Sequence, residues 1–124
     1  MSEPSPSALR KVAVPEPWPP AEATDRIRRM VVNDYFDISF KLHAEDQMEA
    51  RGITMPDVFH ALKHGFVYGN AEPAQQPGLY RYTLQGGVLS SEGRDIKVIL
   101  IPSMHKASAK IVTVMWADEV SVRG

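Results

Sequence analysis

Three polar residues, His43, Gln47 and Arg51, follow one another at four-residue steps through a stretch with helical patterning. At about 100° per residue they form a row along the edge of the apolar face made by Ala44 and Met48, while Glu45, Asp46 and Glu49 gather on the far side. A row of that kind follows the border between core and solvent, where clefts form. His43 begins this helix. The exposed N–H groups and the positive end of the dipole there disfavour imidazolium, so a neutral ring able to accept a proton is expected. Further on, Arg81 alternates with Tyr80 and Tyr82, and Lys97 interrupts an otherwise apolar strand. Arginine offers a two-pronged fork for phosphate, and tyrosine offers a stacking face with a hydroxyl. A cation within a central strand is costly unless it is paired or lines a site.

These residues make up the inventory of a metal-independent phosphodiester cleft. His43, Arg51 and Arg81 are its catalytic candidates, and Gln47, Tyr80, Tyr82 and Lys97 its substrate-binding candidates. The same residues also fit structural roles. His43 can cap its helix, Arg51 can pair with an acid, and Arg81 and Lys97 can lay their aliphatic stems on the sheet with their charges in water. Asp57, His60 and His64 share a face of the next helix, and two histidines at i, i+4 are a possible metal pair. No His-Glu-x-x-His pattern accompanies them, so a solvated polar face is the expectation and no metal or cofactor is expected.

Periodicity and turn chemistry outline the elements that must position this set. Six of the ten prolines fall within the first twenty residues, interleaved with serines, which excludes a regular helix or sheet strand there. Residues 1–20 are expected to form an extended or mobile arm, either a partner-binding peptide with Trp18 as its anchor, or a linker or a tail folded against its own domain. Ala23, Ile27, Met30, Val31 and Tyr35 then recur at three- and four-residue steps, predicting an amphipathic helix over 21–36. Ile38-Ser39-Phe40 is either a short strand or an extended entry to the second helix, 43–51, which Gly52 suits as a C-cap. Thr54 starts a third helix, with Asp57 as the reciprocal half of a capping box and Pro56 in the first turn. After Gly65 the pattern turns to strands, at 66–69, 79–84, 96–101 and 110–116. The last two are apolar at both parities, as in strands covered on both faces. Helices two and three would cover one face, and the first helix or a second subunit the other. The expected architecture is one α+β domain over 21–120, with two to three helices packed on a curved antiparallel sheet of about four strands.

The run His43-x-x-x-x-Met48-x-x-Arg51-Gly52-Ile53, followed by Asp57-Val58-x-x-Ala61-Leu62-x-x-Gly65, resembles the bacterial domain-of-unknown-function family 4258. The Gly78-Leu-Tyr80-Arg81-Tyr82 strand and the closing Ile111-Val-Thr113-Val114 run strengthen the likeness, which covers residues 38 to about 117. Members of that family are similar to the RelE- and MqsR-type messenger-RNA interferase toxins. The resemblance implies a RelE-like fold, an RNA substrate, free or on the ribosome, and a proteinaceous antitoxin as partner. Among the residues above, it carries over first to His43, then Arg51, then Tyr80 and Tyr82. The chain departs from the pattern in having Gln47 where relatives commonly carry Arg, and in its charge. Residues 36–115 hold eight Lys or Arg against eight Asp or Glu, whereas such toxins are strongly basic.

Composition narrows the remaining possibilities. The chain has 124 residues, one domain's worth, and its net charge of -1 gives no ground to expect DNA or a membrane as partner. The absence of cysteine excludes disulfides, thiolate zinc sites and thiol nucleophiles, in keeping with a cytoplasmic protein. No apolar run approaches the ~18 residues of a membrane span, and the first residues lack the basic-then-apolar pattern of a secretory signal. The leading expectation is a toxin-like endoribonuclease. A ribose 2′-OH would attack the adjacent phosphate, with His43 as base or acid, Arg51, Arg81 and Lys97 on the phosphate, and Tyr80 or Tyr82 stacking a base. The alternative is a non-catalytic protein-binding or dimerisation module that uses the sheet and the arm. A small-molecule or metal enzyme using His60 and His64 is a third.

Overall fold

The computed structural model describes residues 14–89 and 93–119. Three helices and five strands follow in the order α1 (Pro20–Val31), β1 (Asp37–Phe40), α2 (Leu42–Arg51), α3 (Met55–His64), β2 (Phe66–Pro73), β3 (Tyr80–Gly87), β4 (Asp95–Pro102) and β5 (Ser108–Trp116). The strands form one sheet in the order β1-β5-β4-β3-β2. The α+β class stands, and the sheet differs from the expected one in two respects. It has five strands instead of about four, and it is mixed, because β1 runs parallel to β5 while the other neighbours are antiparallel. Four residues are too few for a period, so β1 is defined by its bonds. Asp37 N–H donates to Ala107 O and Lys41 N–H to Ile111 O, each at 2.9 Å.

Local chemistry explains most boundaries. Thr54 and Asp57 form the expected reciprocal capping box, and Gly52 ends α2 in the left-handed region at φ 69°. Helix α1 stops at Val31, five residues short of the expected end. The Asn33 side chain accepts from Tyr35 N–H and its carbonyl accepts from Phe36 N–H, turning the chain before another helical turn can form.

The buried apolar helix residues join one core with one face of the strands. Ala23, Ile27, Ala44, Met48, Val58, Ala61 and Leu62 pack against Val67, Tyr82, Leu84, Ile96, Val98, Leu100, Ile111 and Val114. Helix α2 lies over β5 and α3 over β3, while α1 runs beside α3 along the β2 edge, where Thr24 Oγ1 accepts from Val67 N–H at 2.8 Å. The first helix therefore does not cover the second face. Among the described residues that face carries no helix, and its apolar side chains Ile99, Ile101, Val112 and Met115 are only half-buried.

The described part of the proline-rich segment is docked. Trp18 is 9% exposed and stacks on Tyr82 with ring centroids 5.5 Å apart, and its backbone N–H donates to the Tyr82 hydroxyl at 2.9 Å. Tyr80 in turn donates to Pro15 O at 2.6 Å. Trp18 is thus an anchor into this chain's own core. The arm's residues 1–13 lie outside the described residues.

Candidate functional site

The row on α2 has a structural task. Strand β1 pairs with β5 only as far as Ile111, so from there on the outer edge of β5 needs other partners. Gln47 Oε1 accepts from Val114 N–H at 2.9 Å. Glu119 Oε1 accepts from Trp116 N–H at 3.1 Å, and both Glu119 oxygens are gripped by Arg51, through Nε at 2.8 Å and through Nη2. Gln47 and Arg51 therefore seal a strand edge. The Arg51 hydrogen bond holds the Glu119 carboxyl below its ordinary range, and the same bond raises Arg51. His43, two turns earlier, is exposed and makes no hydrogen bond or ion pair among the described residues. Helical rise places it about 12 Å along the axis from Arg51.

The two tyrosines are also engaged. Tyr82 is 1% exposed, and burial raises its hydroxyl, keeping it neutral as the acceptor for Trp18 N–H. Tyr80 is committed to Pro15. His60 Nδ1 lies 3.1 Å from Gly87 O, and since a carbonyl only accepts, that nitrogen carries the proton. No group of three or more His, Asp or Glu among the described residues is arranged to hold a metal.

Arg81 and Lys97 belong to the other side of the sheet. Along β3, Tyr82 and Leu84 point into the helical layer, while Arg81, Thr83 and Gln85 point out of it. Lys97 is opposite Gln85, and Phe66 is opposite Gln85 on the other flank. The structure thus brings together Gln47 and Arg51, sets Arg81 and Lys97 on one face of the sheet but four residues apart along it and in no common hollow, and separates the two groups by the sheet itself. His43 and Arg81 do not share a cleft.

What sits around Arg81 is a hollow of about 230 Å³, lined by Asn70, Glu72, Arg81, Thr83, Ile99, Val112 and Thr113. Arg81 Nη2 donates to Glu72 Oε1 at 3.1 Å. The hollow lies between two irregularities of the sheet. In β2, Tyr68 pairs with Thr83 but Glu72 pairs with Arg81, so four residues of β2 advance against two of β3; Gly69 turns there with φ 72°. In β5, Thr113 pairs with Ile99 but Ile111 with Leu100, leaving Val112 as an extra residue. Each bulge re-aims its side chains, and both contribute to the same hollow: Asn70 and Glu72 from one, Val112 and Thr113 from the other. A carboxylate, a guanidinium, two hydroxyls and an amide converge there on an open face.

The charge around the hollow is uneven. Every ion pair among the described residues uses an arginine. Among the described residues, Lys97 on β4, Lys110 on β5 and Lys41 just beyond β1 have no carboxylate partner. Lys41 and Lys110 line a second hollow, of about 350 Å³, with Asp37, Ser39 and Ile101 on the same face. Glu72 and the bulges are the parts that sequence reasoning missed. Gly69-Asn70 within a strand pattern is the signal that could have found the first. Val112-Thr113 carries none, being two good strand formers in a row. No family model, curated protein or solved structure matches the chain.

Proposed function

We propose that the protein is a metal-independent endoribonuclease of the messenger-RNA interferase kind, resembling domain-of-unknown-function family 4258. Its reacting phosphate would lie in the hollow on the open face, not beside α2. The observation that carries this reading is the Glu72–Arg81 pair, set in a hollow that both bulges of the sheet help to line. Arg81 has a guanidinium fork and uses one arm on Glu72, leaving donors for a phosphodiester oxygen and for the charge that develops on it. Glu72 is an acceptor within reach of the same phosphate. It takes the proton of the ribose 2′-OH as that oxygen bonds to phosphorus. The bond from phosphorus to the 5′-oxygen breaks, the leaving oxygen takes a proton from water, and the products are a 2′,3′-cyclic phosphate and a free 5′-OH. Thr83 and Thr113 offer hydroxyls to the remaining oxygens. Lys97, Lys110 and Lys41 supply unneutralised charge for the flanking phosphates.

Incubation of the full-length protein with RNA, with mapping of new 5′-OH ends, tests this. New ends that disappear with Glu72→Gln and Arg81→Ala are expected. Ends that survive both substitutions would overturn the assignment. A second reading, a non-catalytic docking module, is favoured by the half-buried Ile99, Ile101, Val112 and Met115 on the same face. A folded protein that produces no ends from naked RNA or on ribosomes would select it.

A further inference from the structure

Two aromatic side chains stand on the open face beside the hollow with no role in the core. Phe66 is 64% exposed and Tyr68 is 42% exposed, both on β2. Being two residues apart on one strand, they point to the same side with a separation of about 7 Å. Tyr68 is opposite Thr83, which lines the hollow, so the strip begins where the proposed phosphate site ends. Phe66 is one step further out, in the row that continues through Gln85 to Lys97. Its ring is held from behind. The Arg28 guanidinium lies 4.6 Å from the ring centroid and is itself fixed by the carbonyls of Gly65, at 2.8 Å, and His64, at 3.2 Å. The backed ring leaves its other face toward solvent.

We infer that Phe66 and Tyr68 form a stacking rail that restricts the substrate to unpaired RNA. This inference rests on the reading of the hollow as the phosphate site. Every base has a π face, so two rings at this spacing hold two neighbouring bases of an extended strand with no demand on sequence. A base on Tyr68 places its phosphate toward Arg81, and a base on Phe66 places the next phosphate toward Lys97. Duplex RNA keeps its bases stacked inside its own helix and offers a flat face nothing but its backbone. Charge favours RNA over an apolar protein partner at this strip, because Lys97 beside it has no carboxylate partner among the described residues.

The test uses full-length protein carrying Glu72→Gln, so that RNA survives, and fluorescence anisotropy with a labelled single-stranded RNA and its annealed duplex. The single strand is expected to bind at least about tenfold more tightly than the duplex. Tyr68→Leu and Phe66→Leu are each expected to weaken it about tenfold, while Tyr68→Phe binds like the parent and circular dichroism confirms an unchanged fold. Equal affinity for strand and duplex, or indifference to both leucine substitutions, overturns the rail. Arg81→Ala in the same assay separates the two ideas. If it abolishes binding while the leucine variants do not, the rail fails and the phosphate site stands. If binding is absent or ignores Arg81→Ala, the phosphate site fails. A dimer in sedimentation that Tyr68→Leu dissociates, with no RNA binding, would assign the face to a second copy and overturn both.

Discussion

The same four strands, β2 to β5, present two faces of opposite character. The helix-covered face is a continuous apolar layer in which Leu84, Ile96, Val98, Leu100, Ile111 and Val114 are fully buried. The open face mixes half-buried Ile99, Ile101 and Met115 with Arg81, Thr83, Lys97 and Lys110, and both of the sheet's irregularities empty onto it. Apolar residues at both parities suggested cover on both sides, yet among the described residues only one side is covered. The lesson lies in the interruptions. A both-parity strand that carries Lys97, or one whose neighbour carries Arg81, is buried on one face and available on the other. The covered face gives the fold its stability, and the open face is where a ligand can act without disturbing it.

That division can be attacked one substitution at a time, starting from the side where most is at stake. Gly86 lies where α3 meets β3. A Cβ added there would come within 2.9 Å of Gly65 Cα and 3.0 Å of Ala61 O, both backbone atoms that cannot turn away. Gly86→Ala is expected to cost about 2–3 kcal/mol in chemical denaturation. Tyr82→Phe removes the acceptor of Trp18 N–H and leaves that donor buried, for a loss of about 1–2 kcal/mol in the same measurement. Arg51→Ala frees Glu119 and the β5 edge and is expected to cost on the order of 1 kcal/mol. The cost of Arg51→Ala should also depend on pH. Glu119 titrates below its ordinary value of 4.5 in the folded chain because Arg51 binds the ionised form. The contribution is therefore present above that value and fades as pH falls through the lower folded value. Denaturation of parent and variant from neutral to acid should show their stabilities converging below pH 4.5. Arg81→Ala and Lys97→Ala, on the open face, are expected to shift stability by no more than about 0.5 kcal/mol while removing RNA cleavage and weakening RNA binding respectively. A large stability loss in either would erase the contrast between the faces.

Much of the covered layer was legible in the sequence. The Thr54–Asp57 box and Gly52 announced α2 and α3 because capping is local chemistry, and the order of helices before strands gave the α+β class. With the arm as a partner-binding peptide, Trp18 was expected to anchor a partner, whereas it packs on Tyr82 of its own core, 64 residues away, which no local signal names. The site was less legible, for a physical reason. Side-chain spacing on α2 gives a face, but whether that face borders a cleft or a strand edge depends on where β1 ends. Gln47 and Arg51 answer backbone N–H groups of β5 that β1 is too short to reach. Arg81 and Lys97 were identified as cations needing a reason to be in strands. Glu72 was missed because only the bulge at Gly69 brings it opposite Arg81.

One paired measurement decides between chemistry on the open face and chemistry along α2. The parent chain, His43→Ala and Arg81→Ala are expressed in a bacterium, and growth and new RNA 5′-OH ends are recorded, a format that also admits cleavage on the ribosome. Growth arrest and matching new ends with the parent and with His43→Ala, both abolished by Arg81→Ala, are predicted. Ends that persist with Arg81→Ala and vanish with His43→Ala would contradict the account and place the reaction on the α2 side of the sheet.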